Sequence, residues 1–169
     1  MRRGVIAVAA IGTVALAATL WKGRAQQSAL PDFSGEWQLV SAAGTTPPDG
    51  FVMQTNQSSR VLRVTTHWTE PENREYGLTL VGLITPELTL SMDGREDRNQ
   101  AGPFVLHSRT RWNGARLITS WHTSEFLGVT FEGQWVRSLS ADGRETTLEI
   151  HANSSQGQHS EAVLKFRRK

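Results

Sequence analysis

A chain of 169 residues has room for one domain with a sizeable core and a targeting segment, and a core of that size needs no covalent staples. Cysteine is absent, which excludes disulfides, thiolate metal sites, cysteine lipidation and thiol nucleophiles. The formal charge is +2, yet four of the 18 basic residues (Arg2, Arg3, Lys22 and Arg24) lie in the first 25 positions, where no acidic residue lies. The remainder carries 14 basic against 16 acidic residues, so no nucleic-acid partner is expected.

The chain opens with Arg2 and Arg3, then eighteen uncharged, mostly apolar residues from Gly4 to Trp21, then Lys22-Gly23-Arg24-Ala25. Gly23 and Ala25 are the small residues that a signal peptidase requires, so residues 1–25 read as an export signal whose removal leaves Gln26 first. The rival reading is an uncleaved anchor, because eighteen residues sit at the low edge of a membrane span. Either way the chain is expected to be exported, periplasmic or secreted, with the membrane touched only through this segment. Residues 26–32 read as a linker and residues 33–169 as a β domain.

From Phe33 onward, short β-rich runs alternate with turn residues, and no window shows a capped 3.6-residue period. The candidate strands are Glu36 to Val40, Phe51 to Gln57, Arg60 to Trp68, Tyr76 to Gly82, Leu88 to Met92, Phe104 to Trp112, Ala115 to Thr123, Val129 to Leu139, Thr146 to Ala152 and Glu161 to Arg167. Asn113-Gly114 predicts a type I′ hairpin turn, which sets Trp112 opposite Ala115, Thr110 opposite Leu117, Ser108 opposite Thr119 and Leu106 opposite Trp121. The opposite face of that hairpin carries His107, Arg109, Arg111, Arg116, Ser120 and His122, with Val105 and Ile118 as its apolar exceptions, and reads as solvent-facing. Asp93-Gly94 and Asp142-Gly143 mark two further tight turns. Trp37, Trp68, Trp112, Trp121 and Trp135 all fall on the apolar phase of their strands. About ten antiparallel strands with one apolar face must close or split into two sheets, and the short connections favour an up-and-down barrel.

Asp32-Phe33-Ser34-Gly35-Glu36-Trp37-Gln38-Leu39 resembles the opening motif of the calycin barrels: lipocalins, fatty-acid-binding proteins and avidins. More closely, the chain resembles a group of secreted bacterial lipocalin-like proteins of unassigned role that open with Phe-Ser-Gly-x-Trp. Leu90-Ser91-Met92-Asp93-Gly94-Arg95-Glu96 and Leu139-Ser140-Ala141-Asp142-Gly143-Arg144 are similar to their later turns. The chain departs from lipocalins in having no cysteines, and no helix is expected in the residues after its last strand. The resemblance implies a lipocalin-like barrel whose opening tryptophan closes one end under an arginine from a late strand. Arg137 and Arg167 are the candidates for that cation-π lid.

The chemistry-bearing residues form no catalytic constellation. His67, His107, His122, His151 and His159 are scattered, and His122-x-x-Glu125 sits at a strand end rather than on a helix, so no metal site is expected. Glu70, Glu72 and Glu75, interleaved with Pro71 and Arg74, read as a solvated loop. Neither a nucleophile elbow nor a phosphate-cradling glycine loop is present; no enzyme activity and no cofactor are expected. The inward aromatics leave two readings, a filled core or the lining of a site for a small apolar or amphipathic ligand. The lining would be Trp37, Trp68, Trp112, Trp121, Phe131 and Trp135. Rival functions are a non-enzymatic envelope scaffold that docks a partner on His107, Arg109, Arg111 and Arg116, and, less favoured, an enzyme on a calycin-like barrel.

Overall fold

The computed structural model describes residues 30–45, 49–69 and 87–169. The targeting segment, the candidate strand Tyr76 to Gly82 and the acidic run Glu70, Glu72 and Glu75 lie outside them. Within them run ten strands and no helix: β1 (Gly35–Ala43), β2 (Asp49–Gln57), β3 (Val61–Thr69), β4 (Glu87–Ser91), β5 (Asp93–Ala101), β6 (Phe104–Asn113), β7 (Arg116–Thr123), β8 (Phe131–Leu139), β9 (Glu145–Ser154) and β10 (His159–Arg168). All neighbours are antiparallel, in the order β4-β3-β2-β1-β10-β9-β8-β7-β6-β5. The first and last strands pair, from Trp37 opposite Arg168 to Ala43 opposite Val163. The result is a nearly closed up-and-down barrel with one seam, between β4 and β5.

Alternation along the strands builds the interior. In β7, Leu117, Thr119, Trp121 and Thr123 point inward while Arg116, Ser120 and His122 face water. In β10 the inward residues are Ala162, Leu164 and Phe166. Period-2 patterning of β-branched and aromatic residues suits a half-buried pleated surface, which is why these segments extend rather than coil. Together with Phe33, Trp37, Leu62, Leu106, Leu148 and Ile150, they form one continuous core.

Strand β5 was not among the expected strands, because DGREDRNQA has no apolar alternation. The seam explains its composition. No ladder joins β4 to β5; side chains replace it. Asn99 accepts from the Thr89 amide through Oδ1 (2.7 Å) and donates from Nδ2 to the Thr89 carbonyl (3.0 Å). Asp97 accepts from the Ser91 amide and from the Ser91 hydroxyl. Polar residues on this phase therefore satisfy an edge that would otherwise invite another strand.

The β6–β7 hairpin also differs from expectation, by two residues of register. Trp112 faces Leu117, Thr110 faces Thr119, Ser108 faces Trp121 and Leu106 faces Thr123. The loop is Gly114-Ala115 rather than Asn113-Gly114, and only Gly114, at φ 60°, is left-handed. Glycine first and an ordinary second residue is the type II′ pattern, not type I′. Because the slip is even, the inward and outward faces keep the expected residues.

Gly133 in β8 has a packing role. A Cβ there would fall on the His151 carbonyl oxygen and 2.7 Å from Trp121 Cζ2, so the indole of Trp121 lies over bare backbone. Gly133→Ala should destabilise the fold by about 2 kcal/mol or more through overpacking, read by denaturant unfolding. At the seam, Asn99→Leu removes both side-chain bonds to Thr89. The Thr89 amide should then exchange with solvent faster while the β9–β10 amides keep their protection.

Candidate ligand site in the barrel interior

One barrel end is sealed by the segment that leads into β1. Gly35 adopts φ 140°, a conformation open to glycine, and turns Phe33 under the barrel. The Phe33 carbonyl accepts from Trp37 Nε1 (3.0 Å) and from the Thr55 hydroxyl. Gln57 holds the same segment, its Oε1 accepting from the Phe33 amide and its Nε2 donating to the Pro31 carbonyl. Arg168 lies over the Trp37 ring at 4.6 Å and donates to the Asp32 carbonyl. The Asp32 carboxyl is held below its ordinary pKa, chiefly by the Ser34 amide.

Above this seal the interior is rich in donors and poor in acceptors. The indole N–H groups of Trp68, Trp112, Trp121 and Trp135 and the Ser108 hydroxyl are buried without a hydrogen-bond partner. Thr110 and Thr119 are occupied with each other at 2.9 Å. Among these groups lies Arg137 of β8, only 5% exposed. Its Nη1 donates to the Met53 sulfur across the barrel (3.2 Å), and its guanidinium stands 6.0 Å from the Phe33 ring centre. Among the described residues no carboxylate pairs with it. Burial alone pulls its pKa down to about 10. A charge removed from water without a counter-ion is among the most costly things a core can contain.

The residues expected to line a site divide into three groups. Trp37 is fully enclosed and hydrogen-bonded, which makes it part of the seal. Trp121 and Trp135 are buried with ring centres 5.4 Å apart; half-buried Trp112 stacks on Phe33 and half-buried Trp68 on Phe51. Phe131 sits at the opposite end, edge-on to Phe104. The lid assignment is corrected: the cation over Trp37 is Arg168, not Arg137 or Arg167. Arg167 faces out and pairs with Glu145 at 3.1 Å. Phase shows why, since the inward series Ala162, Leu164 and Phe166 continues to Arg168 and skips Arg167. The same test finds Arg137, which shares the phase of Trp135 and Leu139.

The outer hairpin face is largely engaged within the chain. Glu96 takes His107 Nδ1 (3.1 Å) and Arg109 (3.3 Å), and its pKa is lowered mainly by the His107 contact. Arg116 binds both oxygens of Glu149. His107 and His122 stack at 4.9 Å beside an outer groove of about 400 Å³. Among the described residues no group of three His, Cys, Asp or Glu side chains is placed to hold a metal.

No protein-family model and no curated protein matches the sequence. Among solved structures, the chain is similar to a secretary abundant heat soluble (SAHS) protein from Ramazzottius varieornatus, at TM-score 0.51 and 7% identity over 81% of this chain and 95% of that one. At that identity the likeness carries the fold: an all-β, lipocalin-like barrel of ten antiparallel strands.

The unpaired charge has a signature in stability. Unfolded, Arg137 regains its ordinary pKa, above the folded value of about 10, so the unfolded chain holds that proton more tightly. Stability therefore rises with pH across this interval as the folded guanidinium sheds its proton. Arg137→Met should be more stable than the parent by about 1 kcal/mol or more at neutral pH. Chemical denaturation should show that gap narrowing between about pH 9 and 11.

Proposed function

We propose that this chain is an exported lipocalin-like binding protein whose barrel takes a small amphipathic molecule, acidic head on Arg137 and apolar body along Trp68, Trp112, Trp121, Trp135 and Phe131. The observation that carries the reading is the buried guanidinium without a counter-ion, set among indole donors without acceptors. An acidic head supplies both missing partners, a negative charge and acceptor oxygens, in a medium where charge-assisted hydrogen bonds are strong. Apolar walls around a few convergent polar groups are the ordinary chemistry of a small-molecule site.

Export is supported by the charged and apolar N-terminal segment, and a place among the secreted bacterial lipocalin-like proteins by the Phe-Ser-Gly-x-Trp opening. Binding rather than catalysis is favoured because the interior formed by the described residues holds donors and a cation but no paired acid and base. Docking through the outer hairpin face is less supported, since Arg109 and Arg116 already have carboxylate partners.

The test uses tryptophan emission. A long-chain carboxylate should shift or quench it saturably, because ring and ligand lie in contact. The corresponding alcohol should bind at least about tenfold more weakly, a difference of about 1.4 kcal/mol, and Arg137→Met should abolish that preference. No saturable change with either amphiphile would return the aromatics to a filled core. Equal binding of both would remove the acidic head from the reading.

A further inference from the structure

The loop from Ser124 to Thr130 joins β7 to β8 at the barrel end opposite the seal. Phe126 and Val129 exchange both backbone hydrogen bonds at 3.0 Å, leaving Leu127-Gly128 as a two-residue turn. Leu127 has φ 50° and Gly128 φ 76°, the two positive values of a type I′ turn. Asparagine or glycine is favoured at the first of these positions, and a leucine there works against its own Cβ. Among the described residues Leu127 is the only non-glycine at positive φ. It is also 86% exposed. A singly exposed leucine ordinarily needs no explanation; one held in water by an unfavourable backbone does, since neither folding nor solubility selects it.

Its surroundings indicate what covers it. Phe126, 41% exposed, meets Phe104 edge-on at 5.6 Å, and Phe104 meets Phe131 at 5.3 Å, so aromatic contact continues from the tip to the barrel core. The flanks of the loop are already paired: Ser124 N donates to the Val105 carbonyl, Thr130 N to Ser155 Oγ and Phe131 N to Thr123 Oγ1. From Ser124 to Thr130 the one charged side chain is Glu125. A loop whose flanks are paired and whose tip offers apolar side chains, with the turn's own polar backbone groups left to water or headgroups, fits shallow entry into the headgroup and acyl boundary of a lipid bilayer rather than a protein surface. We infer that the Phe126-Leu127 tip inserts shallowly into a neutral bilayer surface, a second membrane contact besides the one expected of the N-terminal segment. The inference does not depend on what occupies the barrel.

The test must report on the tip and not on the N-terminal segment. Because the chain has no cysteine, a single cysteine places one environment-sensitive fluorophore in the full-length protein. With phosphatidylcholine vesicles, the label in Leu127→Cys should shift to the blue and brighten at least about twofold on leaving water. The label in Ala141→Cys, in the exposed turn at the sealed end, should not respond. No response at 127, or equal responses at both sites, overturns the inference; so does a response at 127 that follows protein concentration without vesicles, which would assign the tip to a second copy of the chain. Leu127→Asn separates insertion from misfolding. It restores the favoured turn residue, so it should melt a few degrees higher, while the tip's share of vesicle binding falls about fivefold or more for the lost apolar burial. Unchanged vesicle binding in Leu127→Asn also counts against insertion.

Discussion

A sheet closed on itself has one place where its ends meet, and here that join sets the terms for the rest. Among the described residues no backbone ladder joins the terminal strands β4 and β5. The chain answers with side chains, an amide from Asn99 and a carboxylate from Asp97, each bonded to the β4 edge. Those positions are then lost to the core. Of the alternate series Asp97, Asn99 and Ala101, only Ala101 joins it. The apolar lining must therefore come from the other strands and from the segment folded under β1, which is where the tryptophans are.

How much of this is legible in the sequence follows from the same constraint. Strands whose inward phase is apolar announce themselves by alternation, and the fold class follows from their number and the brevity of their connections. Strand β5 is hidden because its inward phase serves the seam. The β6–β7 register differs by two from the one Asn-Gly predicts, because Asn-Gly is the strongest short hairpin signal yet the chain turns at Gly114-Ala115; the even shift preserves the two faces. Within the site, the aromatics are legible; Arg137 is legible only as a lid candidate, and Arg168 is not legible. Arg137 and Arg168 stand on apolar phases, but an arginine in an alternating series reads as a break in the pattern rather than as a buried group. Phase, applied without regard to residue type, separates both from Arg167.

The interior donors could be ascribed to a core that simply tolerates unsatisfied groups. The sealed end argues against this. There the Trp37 indole has two acceptors within 3.0 Å, Phe33 is held through both its amide and its carbonyl, and Gln57 is bonded at its side-chain oxygen, its side-chain nitrogen and its backbone amide. This sequence satisfies buried polar groups where only structure is at stake. A short distance above, among the described residues, four indoles and a hydroxyl have no protein partner, and a guanidinium has one thioether acceptor and no counter-ion. Removing that arginine would favour folding, so its presence reflects a requirement other than stability.

The two barrel ends are unlike in the same sense. At the seal every irregularity is compensated: the positive φ of Gly35 falls on a glycine, and Arg168 lies against both Trp37 and Asp32. At the far end the irregularity is a leucine in a glycine conformation, directed away from every contact that would reward it. Among the described residues, Arg137 and Leu127 break local rules of folding, one as a charge inside and the other as an apolar side chain outside at positive φ. Where a sequence otherwise agrees with its fold, such violations mark function. Arg137 lies at the inner limit of the aromatic lining and Leu127 beyond its outer limit, with Phe104, Phe126 and Phe131 between the tip and the core. An amphipathic molecule leaving a bilayer would meet the leucine first and the arginine last, its apolar part in contact with side chains along the way. That order gives the barrel a direction, tip toward lipid and seal away from it, without requiring any element to move.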